Sequence, residues 1–314
     1  MFVDMVDLGI VIVNFKTKDF LRDCLRSIFD SEGDFSFQVC VVDNASGDGS
    51  VEMVRDEFPQ VHLIAQQENQ GYAHANNLGL YHFGFRDEPG AEPAPDAPRF
   101  ALLLNPDTLL PTNALEEMLT FVDARPTCGV AGPRLVRQDG SLDKACRRSF
   151  PSPATSFYRL TGLSSVFHTN PRFGRYNLSY VDDTISIEVD SVVGAFMMIR
   201  REALSDVGLL DESFFMYGED LDLAYRIKAA GWKVWYDADV TVLHYKGESS
   251  KQRSWKSIVN FYDAMDTFHR KHYASHMPIP VNWIIRLAIW TLCGVNLIRN
   301  ALRPRERRGV ASAV

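Results

Sequence analysis

The chain has 314 residues, 46% of them hydrophobic, enough to bury a sizeable core in one large domain or two. Its net charge of −7 excludes wholesale nucleic-acid binding and leaves any basic residues that matter to act locally. Five scattered cysteines (Cys24, Cys40, Cys128, Cys146 and Cys293) form no CxxC pair, which argues against a zinc site and for reduced thiols in a cytoplasmic compartment.

The N-terminus, Met1 to Asp7, carries acids and no basic stretch, so it does not read as a secretion signal. Leu8 to Phe15 (LGIVIVNF) is a short apolar run that predicts a strand, followed by a helix from about Lys18 to Phe29. Phe37–Val42 and Val61–Ala65 read as the next strands, followed by helices over Ser50–Phe58 and Ala73–Phe83. Arg86 to Arg99 (RDEPGAEPAPDAPR) is rich in proline and acids and reads as an exposed insertion. A fourth strand, Ala101–Leu104, precedes a helix over Asn113–Ala124. The pattern weakens from Val136 to Tyr180, then resumes with Glu188–Ile199, a helix from about Glu219 to Ala230 and the strand Lys233–Tyr236. Strands apolar on both faces and alternating with helices predict an α/β fold, a Rossmann-like, mainly parallel sheet with helices on both faces. Ligands in such sheets collect beyond the carboxyl ends of the strands, where Asn14, Asp43 and Asn105-Pro106-Asp107 fall.

The polar stretches carry the chemistry. In VVDNASGDGS (Val41–Ser50) a strand ends on Asp43, whose carboxylate can accept an N–H from a nucleobase while the loop after it follows a ribose; an ordinary turn with a helix cap explains the same residues. Neither GxGxxG nor GxxxxGK[ST] occurs, which counts against dinucleotide and P-loop readings. In ENQGYAHANNLGL (Glu68–Leu80), Gly71 allows a close backbone approach, and Ala73, Ala75 and Gly79 keep the helix slim. Asn69, Asn76 and Asn77 offer amides to sugar or phosphate oxygens, and the helix N-terminus favours negative charge. Asn105-Pro106-Asp107 reads as a relaxed DxD for Mg²⁺ or Mn²⁺, with Asp107 as the carboxylate and Asn105 nearer the sugar or reaching the ion through water; the competing account is a type I turn. In FFMYGEDLDLAYRIKAAGW (Phe214–Trp232), helical spacing puts Asp220 on one face with Leu223, Ala224 and Ile227, where partial burial suits a general base. Asp222 has Arg226 at i+4 and reads as a surface ion pair. His244 closes the apolar run of VTVLHYKGESS as a ligand candidate or a core histidine.

Taken in order, LGIVIVNF, VVDNASGDGS, NQGYAHANN, NPD, VGAFMMIRREAL and FFMYGEDLDLAYR resemble a family 2 glycosyltransferase of GT-A fold, nearest the rhamnosyltransferase-like enzymes of polysaccharide assembly. The likeness spans roughly Leu8 to Gly247. It implies inverting transfer from a nucleotide-diphospho-sugar donor, with dTDP-rhamnose the best match and UDP-linked donors the alternative, to a glycan or lipid-linked acceptor. It further implies that Asp43 binds the base, Asp107 the metal, His244 the region of metal and diphosphate, and that Asp220 is the base. Asn14, Asn69, Gly71, Asn76 and Asn105 complete the expected donor site. Asn105 departs from the Asp of many relatives and leaves one fewer charge at the ion. A non-catalytic nucleotide-sugar binding module stays open, as does a nucleotidyltransferase, although Asn14–Asp19 lacks the glycines the latter wants.

We expect a catalytic domain over 1–250, with a nucleotide half over about 8–110 and an acceptor half over about 111–250, then a helical segment over 251–314. Trp283–Leu302 is apolar and about long enough to cross a bilayer. At about 100° per residue, however, Asn282, Arg286, Asn296, Arg299, Asn300 and Arg303 fall in one arc of roughly 140°. This confinement predicts an interfacial helix, peripheral at the inner face of the membrane, with Trp283 and Trp290 at the boundary and Arg303, Arg305, Arg307 and Arg308 drawn to anionic lipid. Packing on the catalytic domain or in a homo-oligomer is the competing account.

Overall fold

The computed structural model describes residues 5–245 and 254–303. In chain order its elements are β1 (Leu8–Asn14), α1 (Lys18–Phe29), β2 (Phe37–Asp43), α2 (Ser50–Glu57), β3 (His62–Ala65), α3 (Tyr72–His82), β4 (Phe100–Leu104), β5 (Thr108–Leu109), α4 (Ala114–Asp123) and β6 (Cys128–Val136). There follow α5 (Pro153–Leu160), α6 (Leu163–Val166), β7 (Ile187–Val189), β8 (Phe196–Arg200), α7 (Arg201–Val207), α8 (Glu219–Ala229), β9 (Lys233–His244), α9 (Ser254–His272) and α10 (Ile279–Leu302).

Among the described residues nine strands form one mixed sheet ordered β3-β2-β1-β4-β8-β6-β9-β5, with β7 along β9. Strands β1 to β4 run parallel, as the alternation of strand and helix implies. Past β4 the sheet turns mixed: β8 is antiparallel to β4 and β6, while β5 and β7 are antiparallel to β9. Parallel pairing needs a long crossover, and β5 and β8 arrive through loops instead. All seven residues of β1 and all five of β4 are buried, covered by helices on both faces. The slim face of α3 presses directly on the sheet, since a Cβ on Gly79 would lie 2.5 Å from Val11 Cγ1. The proline-rich insertion is less exposed than its composition implies: Ala97 is fully buried, and Arg201 donates to the carbonyls of Ala94 and Ala97.

Strand β9 is longer than its apolar pattern and carries an irregularity that matters. Pro133 faces Asp237 and Arg134 faces Thr241, so Ala238, Asp239 and Val240 loop out as a wide bulge. After it β9 resumes beside β6 and also pairs with β5, which sets His244 opposite Thr108.

The C-terminal helices are tied to the sheet and its covering helices through α8. Phe268 and Ala264 of α9 pack with Phe214 and Leu221. The surface ion pair expected of Asp222 is instead buried. Its carboxylate has no exposure and meets Arg226 at 2.8 Å, Lys271 at 2.8 Å and His272 at 2.7 Å. The i+4 spacing identified one partner, but only the docking of α9 supplies the other two and removes the water. The second helix of the pair is docked through its polar side. Three members of the polar arc of α10 are bonded to α9: Asn282 Oδ1 is 2.9 Å from His269 Nε2, Arg286 Nε donates to Asp266 at 2.8 Å, and Asn296 Nδ2 donates to the Tyr262 hydroxyl. Helix α9 offers polar groups, so it takes the polar arc. Arg305, Arg307 and Arg308 lie outside the described residues.

Burial pushes the Asp222 carboxyl up, but the His272 hydrogen bond and the charges of Arg226 and Lys271 outweigh it and hold the group at about 2, against 3.8 ordinarily. Asp222→Asn should therefore cost about 2 kcal/mol at pH 7. Because the folded carboxyl is depressed, that margin is full above about pH 4 and is lost as pH falls toward 2. Urea melts of parent and variant at pH 7 and pH 3 check both the size and the direction.

Candidate functional site

Three neighbouring strand ends open one edge of the sheet. Asn14 and Asp43 are in register at the ends of β1 and β2, and Asn105 follows β4, itself paired to β1. Asp43 is buried; its Oδ2 accepts from Asn14 Nδ2 at 2.8 Å and its Oδ1 from the Ser46 N–H at 2.9 Å. Each oxygen retains a further lone pair. Asn14 turns inward. Its other amide hydrogen goes to Ser46 Oγ at 3.0 Å, and its Oδ1 accepts the Thr17 hydroxyl at 2.7 Å. With no exposure and both amide hydrogens used, Asn14 braces Asp43 rather than meeting a donor. A polar strand end falls in the right layer, but the rule does not say which way its side chain faces.

The loop ahead of α3 is held by the chain itself. Gly71 has φ +103°, and a Cβ there would lie 2.7 Å from the Phe215 carbonyl oxygen. The close approach expected at Gly71 is thus made by Phe215, whose carbonyl accepts the Tyr72 N–H at 2.7 Å. The first N–H of α3 is occupied, so that helix end is less open to an anion than its sequence implies. Half-buried Asn69 accepts from Asn44 Nδ2 and the Gly71 N–H, both at 3.2 Å. Asn76 is fully buried, with Nδ2 on the Tyr72 carbonyl at 2.9 Å and Oδ1 without a partner. Asn77 latches α3 to the chain before α8, donating to the Leu210 carbonyl and Glu212 at 2.9 Å each and accepting the Leu210 N–H at 3.0 Å. That latch explains an asparagine inside the helix without any ligand.

The turn after β4 joins His244. Asp107 Oδ1 lies 3.4 Å from His244 Nε2, and the Asp107 carbonyl accepts the Tyr245 N–H at 2.9 Å. On its other side His244 Nδ1 is 3.0 Å from Asp143, a carboxylate with no exposure. Burial opposes the imidazolium charge, yet Asp107 and Asp143 prevail and hold His244 at about 9. His244 Nε2 is buried with no hydrogen-bond partner, the 3.4 Å contact being too long and misaligned to satisfy it. An imidazole fixed by a carboxylate at Nδ1, with Nε2 orphaned beside a second carboxylate, fits a divalent cation that takes the place of the Nε2 proton. Among the described residues no third His, Cys, Asp or Glu completes a ligand group, so the rest of such a shell would come from ligand oxygens or water. Asn105 Oδ1 accepts the Tyr72 hydroxyl at 2.9 Å and keeps a second lone pair.

Opposite this corner stands the first turn of α8. Asp220 is buried; its Oδ2 accepts from Arg148 Nη2 at 2.6 Å and from the Gly194 N–H at 3.2 Å, while Oδ1 takes the Leu221 N–H at 2.7 Å. Burial works against the Arg148 charge and Asp220 more than restores it. The carboxyl raised by burial in this stretch is that of Glu219, which is also pushed up by the charge of Asp220 and whose Oε2 has no partner. Tyr72 bridges the two sides: its hydroxyl reaches Asn105 Oδ1 and the Gly194 carbonyl at 3.1 Å, and Gly194 in turn donates to Asp220. Burial first, then the charges of Glu219, Asp220 and Asp107, raise that hydroxyl well above its ordinary value.

The structure therefore links Asn105 to Asp220 through Tyr72 and Gly194 and sets Asp107 beside His244 in the turn that Asn105 opens, with Asp43 on the same sheet edge. It adds Tyr72, Asp143, Arg148, Gly194 and Glu219, which sequence reasoning missed. The adjacent Arg147 and Arg148, in a stretch without periodicity, were the available signal.

The sequence model of the family described as "Glycosyltransferase like family 2" matches residues 7–259. The chain is 27% identical over 270 residues to an N-acetylglucosaminyl-diphospho-decaprenol L-rhamnosyltransferase of Mycobacterium tuberculosis, covering 86% of each protein. In fold it is similar to a mannosyltransferase from Pyrobaculum calidifontis in complex with GDP-mannose and Mn²⁺, with TM-score 0.53 and 17% identity over 92% of this chain and 70% of that one. It is likewise similar to GalNAc-T7 with UDP, GalNAc and Mn²⁺, with TM-score 0.54 and 14% identity over 78% of this chain, which spans only 45% of that protein.

Removing one member of the Arg148–Asp220 pair strands the other. Arg148→Ala should cost about 3–5 kcal/mol of stability. The double variant with Asp220→Ala should recover part of that loss, which a double-mutant cycle of urea melts measures.

Proposed function

The chain belongs to glycosyltransferase family 2, and on that premise we propose that it transfers L-rhamnose from dTDP-rhamnose, with inversion, to a lipid-linked glycan acceptor of cell-surface polysaccharide assembly. The sugar and the polyprenyl-diphosphate type of acceptor rest on the relative that shares 27% identity over most of both chains. The observation that carries the chemistry is the hydrogen-bonded path Asn105–Tyr72–Gly194–Asp220, which ties the turn that carries Asp107 to a buried carboxylate.

In this reading Asp43 accepts an N–H of the base through a free lone pair, and Asn69 and the Asn105 amide meet the donor. Asp107 and His244 would hold a divalent ion, Mg²⁺ or Mn²⁺, which when bound supplies positive charge to offset the negative charge of the diphosphate. Asp220 takes the proton of the acceptor hydroxyl while that oxygen attacks the anomeric carbon from the face opposite the diphosphate. As the new C–O bond forms, the bond to the diphosphate oxygen breaks and the configuration inverts in one displacement. Arg148 and the Gly194 N–H hold Oδ2, which directs the less encumbered Oδ1 toward the acceptor. Asp143 orients the imidazole of His244.

Asp220→Asn keeps an acceptor for Arg148 and should leave donor affinity nearly unchanged while turnover falls about a hundredfold or more. Turnover near that of the parent would remove Asp220 from the base role. Asp107→Ala should weaken donor binding in Mn²⁺ but change little in EDTA, because the one carboxylate ligand is gone; calorimetric titration with dTDP-rhamnose reads both. A parent that binds donor equally well with and without the ion would overturn the metal assignment. Incubation with nucleotide sugar plus acceptor, and separately with nucleoside triphosphate plus sugar phosphate, tests the reaction class. Product from the second mixture alone would make the protein a nucleotidyltransferase, and none from either a binding module.

A further inference from the structure

Helix α10 carries its hydrophobic surface on the outside. Trp283 is 71% exposed, Leu287 69% and Leu302 81%, and Ile284, Trp290 and Ile298 are exposed beside them. At about 100° per residue these six occupy a single arc of roughly 120°, on the side opposite the polar arc that sits on α9. Its 24 residues include no Asp or Glu. The helix is long and apolar enough to cross a bilayer, but crossing would carry α9 into the hydrocarbon with it. That helix holds Asp266 against Arg286, and its Lys271 and His272 are bonded to Asp222 of α8. Burying such a face, rather than the whole helix, is what the contacts allow.

We propose that α10 lies in the surface of an anionic lipid bilayer, with its apolar arc among the acyl chains and its polar arc retained on α9. Charge selects the occupant. Arg299 flanks the apolar arc, and the sequence after Leu302 carries Arg303, Arg305, Arg307 and Arg308 against the single acid Glu306. A second copy would bring the same arginines to the interface, whereas anionic headgroups complement them. Tryptophans at the arc's edge suit the boundary between headgroup and acyl chain. The inference goes beyond the transfer reaction and uses none of its residues. Its geometric effect is to fix the site, because α10 is bonded to α9 and α9 to the helix that carries Asp220.

The test uses the full chain with vesicles of phosphatidylcholine alone or mixed with phosphatidylglycerol. The protein should sediment with the anionic vesicles at low salt and be largely released in molar salt, where charges beyond about 3 Å are screened. Leu287→Glu combined with Ile298→Glu should lower vesicle binding about tenfold or more while the melting temperature stays near the parent's, since both positions face outward. Brominated lipid should quench the tryptophan fluorescence of the parent, and less so that of Trp283→Phe/Trp290→Phe, which keeps the measurement open if the glutamate variant misfolds. Equal sedimentation of parent and glutamate variant would overturn the proposal. So would a parent that ignores vesicles and forms a dimer the variant breaks, or one that resists both molar salt and alkaline carbonate as a spanning helix does.

Discussion

A charge can be kept inside a protein only when another charge or a set of aligned dipoles answers it there, and the first turn of α8 places three acids under that constraint. Glu219, Asp220 and Asp222 are all buried. Arg148 reaches Asp220 from the long segment after β6, and the Gly194 N–H reaches it from the approach to β8. Lys271 and His272 reach Asp222 from α9. Glu219 forms no such ion pair among the described residues; burial and the charge of Asp220 outweigh that of Arg148 and drive its carboxyl toward the neutral form. Three distant parts of the chain thus converge on one helical turn because the charge there admits no other solution.

The same requirement organises the opposite corner, where one imidazole sits between two buried carboxylates. Between the corners stands one phenol. Tyr72 has its ring on the first turn of α3 and its hydroxyl shared between Asn105 and Gly194, so a displacement of the α3 loop would be felt on both sides of the site. The glycine before it is needed for that reason, since Phe215 occupies the space a side chain would take.

Legibility in the sequence followed locality. Strands β1 to β4 and their helices were readable because each is a short run with its own period and its own turn residues. Asp43, Asp107 and Asp220 stood out because a carboxylate at the end of a buried strand or on an apolar helix face contradicts its surroundings. Asp143 and Arg148 did not stand out, because their segment has no repeating pattern and their meaning depends on groups 72 and 101 positions away. Asn14 and Asn77 were read toward a ligand when their partners are neighbouring loops. The polar arc of α10 could be delimited but its neighbour could not: periodicity says which residues share a face, not what that face meets.

The bulge at Ala238–Val240 has a consequence for how the site withstands change. It divides β9 into a half that packs against β6 and β7 and a half that delivers His244 to Asp107. In an unbroken strand, gaining or losing one residue turns every later side chain to the other face. Here three residues outside the β6 ladder stand between the halves, and Thr241 takes its register from its own pairing with Arg134. The histidine is thereby insulated from errors of length in the strand that carries it, much as a slack coupling protects a gauge from the movement of its pipe.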